Sequence, residues 1–250
     1  MTVQLEFNFY QCKGFIGKND VINAISAMRD EGVVLARVSA LEGELLKVVP
    51  YDGDVTQYVE EVYRAVELVD GKETPIYLRT GPYSASCTGL IHQVIPGRNQ
   101  RILFSFEMFG KSFNKVGGTL SPRSEDTEAF AQFILKLADK LYRILLPAFG
   151  IVDFANVIQG TIFKEVSARK TKRLYWATFF GSEYVNKYGK EYLLNSPVWK
   201  KEALQDGGVF LQVNEHLTKP SSVTLLDECK KYFAPIEIKF ISWPGEKPRF

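Results

Sequence analysis

Hydrophobic and polar residues alternate from Val3 to Phe9, with Gln4, Glu6 and Asn8 between the apolar positions. A period of two predicts a strand with one buried face. The period then changes. Val21, Ala24, Ile25 and Met28 fall on one face of a helix that Asn19 or Asp20 can cap and Gly32 can end. Val33 to Ser39 and Leu45 to Val49 read as strands around a turn at Glu42-Gly43. Asp54 and Gln57 make a capping-box-like start for a helix carrying Val55, Tyr58, Val59, Val62 and Val66, which Gly71 stops. Ile76 to Thr80, Thr88 to Ile95 and Arg101 to Met108 read as three further strands, punctuated by Pro82 and Pro96-Gly97.

Gly110 to Arg123, with Gly117-Gly118 and Pro122, reads as a loop and as the boundary between two halves. Ser124 follows as the cap of the strongest helix. Phe130, Phe133, Ile134, Leu137, Leu141, Ile144 and Leu145 form one stripe along it up to Pro147. Val157 to Lys164, Arg173 to Phe180 and Gly208 to Val213 read as strands. A short helix is expected over Ser182 to Tyr188, stopped by Gly189, and a second from Ser196-Pro197 through Leu204. A last helix, capped by Ser221 or Ser222, aligns Leu226, Cys229 and Phe233, and Ile236 to Phe240 alternates as a final strand.

Helices scattered among strands predict an α+β fold, with mixed, mainly antiparallel sheets and helices packed on one face. Residues 1–120 and 121–250 form an N-terminal and a C-terminal α+β half, separate or joined in one domain. Phe104 to Phe113 and Trp176 to Tyr184 share an aromatic strand, a glycine and a short polar continuation, so the two halves can be read as distantly related.

Composition narrows the functional classes. The 250 residues carry 31 Lys and Arg against 29 Asp and Glu, a balance unlike the concentrated basic excess of a nucleic-acid binder. Cys12, Cys87 and Cys229 are odd in number and widely spaced, poor material for a disulfide framework or a zinc site, and they fit a reducing compartment. The N-terminus has no signal-peptide pattern. The best apolar run, Ile144 to Val152, is broken by Pro147 and Gly150 and is too short to span a bilayer. The expected location is the cytoplasm, with no membrane and no nucleic-acid partner.

The candidate chemistry is sparse. Gly110-Lys111-Ser112 resembles the tail of a phosphate loop, but the position five residues earlier is Ser105, in a strand. His92 and His216 have no neighbouring ligand at metal-site spacing. Cys87 and His92 could pair as nucleophile and base only through the fold, and Ser84 and Ser86 lack the glycines of a nucleophile elbow. Glu125-Asp126 suits the first turn of a helix, and Glu60-Glu61 is a second adjacent acidic pair. No catalytic residue, cofactor or metal is assigned. Tyr184, Tyr188, Tyr192 and Trp199 are the candidate partner-binding residues, since tyrosine and tryptophan are enriched at interface hot spots.

Trp176, Phe179, Phe180, Gly181, Tyr188, Gly189, Gly207, Gly208, Leu211 and Gln212 form a pattern: an aromatic strand ending in glycine, a short helix ending in Tyr-Gly, then Gly-Gly before an apolar strand. This pattern resembles the bacterial immunity proteins of polymorphic and type VI secreted toxin systems. The resemblance covers the last third of the chain and extends to the rest only through element order. It implies a non-enzymatic intracellular protein that binds and neutralises a cognate protein toxin. Two other readings remain open at this point: a hydrolase-like enzyme using Cys87 or His92, and a small-ligand or scaffold module, dimeric through its aromatic strands.

Overall fold

The computed structural model describes residues 3–12, 18–42, 45–50, 66–69, 72–75, 83–109, 113–158, 162–219 and 222–240. Its strands are β1 (Leu5–Cys12), β2 (Val33–Glu42), β3 (Leu45–Pro50), β4 (Val66–Val69), β5 (Lys72–Pro75), β6 (Tyr83–Ile95) and β7 (Arg98–Phe109). They continue as β8 (Phe113–Leu120), β9 (Pro147–Phe154), β10 (Arg173–Leu174), β11 (Ala177–Phe180), β12 (Lys200–Ala203), β13 (Val209–Gln212) and β14 (Lys239–Phe240). The helices are α1 (Lys18–Asp30), α2 (Thr127–Leu145), α3 (Ala155–Ile158), α4 (Ile162–Ser167), α5 (Ser182–Tyr188), α6 (Lys190–Leu194) and α7 (Val223–Phe233).

Ten strands form one antiparallel sheet in the order β12-β13-β11-β9-β1-β8-β7-β6-β2-β3. The fold is α+β, as the element order predicts. The first strand lies inside the sheet: β1 pairs with β8 on one side and β9 on the other, for example Phe7 with Gly118 and with Val152. The sheet therefore runs without a break through residues 1–120 and 121–250.

Helices cover both faces, not one. On one face α1 and α2 pack Ala24, Ile25, Met28, Phe130, Ile134, Leu137 and Leu141 against Leu5, Phe7, Phe9, Ile102, Phe104 and Phe179. On the other, α3 to α7 place Ile158, Val166, Tyr184, Leu193, Cys229 and Phe233 against Tyr10, Phe149, Ile151, Phe180, Val209 and Leu211. The cause is visible in β9 and β13, "PAFGIVDF" and "VFLQ", which are apolar without alternation and bury both sets of side chains.

Several element expectations are corrected. Residues 113–120 are a strand inside the sheet, not a boundary loop. Gly117 and Gly118 serve packing rather than turning, for a Cβ on Gly118 would overlap the Phe7 ring from β1. The apolar run around Gly150 is strand β9, and the stretch expected to be a strand from Val157 holds α3 and α4 instead. Val66, read as the end of a helix, belongs to β4 and pairs with Pro75. The rest of that helix, the strand Ile76 to Thr80, the pair Glu60-Glu61 and Gly110-Lys111-Ser112 lie outside the described residues. Within the stretch expected as the final strand, a 3-10 turn occupies Ala234–Ile236, and Lys239–Phe240 are strand, parallel to β10. The two stretches compared as a repeat diverge after their glycines, one leading into β8 and the other into α5.

Candidate functional site

The four candidate residues sit in the helical layer that follows β11. That layer is built by glycines. At Gly181 the chain passes so close to the carbonyl of Pro147 that a Cβ would collide with it. Its own carbonyl accepts from the Tyr184 and Val185 amides, both at 3.0 Å, starting α5. Gly189, at φ +89°, ends α5 by donating to Val185 O at 2.8 Å and begins α6 by accepting from Leu193 N at 3.1 Å. The break rotates Tyr192 away from Tyr184 and Tyr188, so the spacing of four does not produce one aromatic face.

Tyr184 is buried. Its ring stacks on Phe149 at 4.9 Å between centroids, and its hydroxyl points at Lys170 O, 3.4 Å away. Tyr188 is half-buried, edge-on to Phe180 at 6.0 Å, and its oxygen accepts from Thr171 N at 3.0 Å. Burial pushes the phenols of both above the ordinary tyrosine range. Tyr192, also half-buried, stacks on Tyr232 of α7 at 4.7 Å. Trp199 stands apart: 55% of its surface is exposed. Its amide donates to Val213 O at 3.2 Å, fixing the backbone immediately before β12 while the indole faces solvent. The structure thus brings Tyr188 against the buried Tyr184, joins Tyr192 to the last helix, and leaves Trp199 on the surface.

The helix expected from Ser196-Pro197 is absent. Ser196 closes α6, its hydroxyl donating to Leu193 O at 2.7 Å, and the chain then enters β12. The β12–β13 hairpin turns at Gly207, φ +85°, and is tied to α2 by Tyr142, whose hydroxyl donates to Asp206 Oδ2 at 2.8 Å.

The histidines and the Glu125-Asp126 pair have side-chain partners. His92, exposed on β6, lies 2.6 Å from Asn99 Oδ1 through Nδ1. Cys87 is in the same strand, paired through its backbone with Val38 and Phe104. His216 Nδ1 is 3.2 Å from Glu128 Oε1. That carboxylate also accepts from the amide and hydroxyl of Thr218, at 2.9 and 2.7 Å, pinning the loop after β13 to the start of α2. Asp126 and Glu125 receive Arg98 from β7. Among the described residues no group of three or more His, Cys, Asp and Glu is arranged to hold a metal ion, and no helix is long and apolar enough to cross a membrane.

One buried acid escaped the sequence reading. Asp153, in β9, accepts from Phe154 N at 2.7 Å and Trp176 N at 2.9 Å, and burial pushes it up to about 6. It holds the chain where β10 and β11 separate, at Tyr175-Trp176. Tyr232 was missed as well. Its signal was its place next to Phe233 at the end of an amphipathic helix, which does not specify a partner.

No family model and no curated protein sequence matches the chain. Among solved structures, the T6SS protein PA0821 of Pseudomonas aeruginosa shares the fold with a TM-score of 0.55 and 13% identity, over 94% of this chain and 73% of that one. A complex of the toxic C-terminal tip of CdiA from Pseudomonas aeruginosa with its immune protein gives a TM-score of 0.41 and 8% identity, covering 64% of this chain and 90% of that one.

Proposed function

We propose that the chain is an immunity-type protein that binds and neutralises a cognate bacterial protein toxin, without catalysing a reaction. The observation that carries the reading is the fold shared with a type VI secretion protein along almost the whole chain. The toxin-immunity pattern in the sequence agrees with it. Its residues fall on the frame of one region: Phe179 and Phe180 in β11, Gly181 and Gly189 at the ends of α5, and Leu211 and Gln212 in β13.

In this reading the protein acts through shape. A sheet covered on both faces in its C-terminal part presents a rigid surface that occludes the toxin, in the cytoplasm and without nucleic acid, membrane or cofactor. Binding energy at such surfaces concentrates in a few aromatic or arginine anchors. Of the four candidates, Trp199 has the exposure such an anchor needs. Tyr184 supports the surface from within.

The test is co-expression with the product of the adjacent gene, followed by pull-down. The proposal expects a stable complex and relief of toxicity, with Trp199→Ala weakening the complex while the melting temperature stays unchanged. Absence of both complex and protection would refute it.

A further inference from the structure

Strand β12 ends the ten-stranded sheet. Its four residues, Lys200, Lys201, Glu202 and Ala203, are exposed or half-exposed. An uncovered end strand offers unpaired N–H and C=O groups to another strand. The question is which strand fits.

The side chains of β12 answer it. Register with β13 sets Glu202 opposite Phe210, which faces α2, and Lys201 opposite Leu211, which faces the other helical layer. Lys200 shares the face of Glu202: its ammonium lies over the Phe210 ring at 5.5 Å, and Glu202 is 3.8 Å from Arg143 of α2. Lys201 is folded away, its Nζ donating to Ser196 O at 2.7 Å.

We propose that β12 pairs antiparallel with β12 of a second copy of this chain, about a two-fold axis normal to the sheet at Lys201. Such an axis keeps each face of one sheet continuous with the same face of the other, so only residues on one face meet. Lys200 then stands opposite Glu202 of the second copy, and Glu202 opposite its Lys200. Within one copy Lys200 Nζ already lies 3.4 Å from Glu202 Oε2, and pairing across the axis sets each of these two charges against its opposite in the second copy as well. The like pair on the axis, Lys201 with its symmetry mate, is relieved because each ammonium is already turned to a carbonyl. Trp199 falls opposite Ala203 of the second copy, whose small side chain leaves room for the indole. The two Trp199 residues lie on one face of the joined sheet, about 14 Å apart along it at roughly 3.4 Å per residue. Dimerisation therefore gathers both exposed tryptophans into one surface. It does not depend on the toxin reading.

Sedimentation equilibrium of the whole chain tests this. The wild type is expected at twice the monomer mass in the micromolar range. Lys200→Glu alone and Glu202→Lys alone each place like charges opposite one another at both symmetric positions, and each should weaken the dimer about tenfold or more. An equimolar mixture of the two single variants sets opposite charges across the axis while the pair within each copy stays broken, and should form a heterodimer, which separates an interface effect from misfolding. A monomeric wild type overturns the proposal, including one whose β12 amides become protected from exchange only when a protein toxin is added. A dimer indifferent to the single variants, or not restored when the two are mixed, overturns it equally.

Discussion

Tyr192 and Tyr232 bind each other's backbone. The hydroxyl of Tyr232 donates to the carbonyl of Tyr192 at 2.6 Å, and that of Tyr192 donates to the carbonyl of Tyr232. Their rings stack between these bonds, 28° from parallel. This reciprocal clamp fastens α7 to α6. Removing one hydroxyl leaves the stack intact and frees one carbonyl near the surface. Tyr192→Phe and Tyr232→Phe should each cost about 1 kcal/mol in urea denaturation. The double variant should cost less than the sum, since both bonds depend on one ring geometry.

Asp153 should make stability depend on pH in an unusual direction. Burial raises its folded-state value from 3.8 to about 6, although two amides bond to it. Between those values the native state holds a proton that the unfolded chain has released, so stability contributed here is full below about 4 and declines as pH rises through 6. Asp153→Asn removes this slope, and it leaves one amide without its acceptor. The variant should therefore be most destabilised at pH 4, with the deficit shrinking by on the order of 2–3 kcal/mol at pH 7. A deficit that grows with pH would contradict the assignment.

Glu31 has the opposite sign. Burial acts to raise it, but hydrogen bonds and charge from Lys136 and Lys140 outweigh burial and hold it below the ordinary carboxylate range. Its contribution is present at neutral pH and is lost as pH falls below 4.5, its ordinary value. Glu31→Gln should cost about 0.5–1 kcal/mol at pH 7 after solvent screening, less in high salt, and less at pH 3 than at pH 7. Thermal melts at the two pH values decide it.

At Gly118 a methyl group has nowhere to go. Gly118→Ala should cost about 1–3 kcal/mol, through the Phe7 ring it displaces. Phe7→Leu should recover part of that loss in the double variant, which a double-mutant cycle would read directly.

The same glycine shows where the sequence was legible and where it was not. Periodicity located β1, α1, β6, β7, α2 and α7; in β1 the large apolar residues Leu5, Phe7 and Phe9 keep to one face and give the period, although Asn8 and Tyr10 opposite them are buried too. Ser222 caps α7 as its position predicts, accepting from Leu225 N at 3.1 Å. Gly117-Gly118 read as a loop because a glycine that makes room for a ring on another strand looks, locally, like a glycine that turns the chain. Strand β9 failed for a related reason. Buried on both sides, it has no alternation, and Pro147 and Gly150 mimic breaks. The candidate site divided the same way. Tyr184, Tyr188 and Tyr192 share a spacing of four, but Gly189 at positive φ splits them between two helices, and spacing alone cannot separate a buried ring from an exposed one. Trp199 was within reach of the sequence as a residue type, though not its exposure, which follows from the strand edge that β12 forms.

Neutralisation is the claim on which the account turns, and growth of cells expressing the product of the adjacent gene measures it most directly. With this chain co-expressed, the account predicts restored growth and recovery of the two proteins as one complex. Unrelieved toxicity with this chain soluble and folded would contradict it.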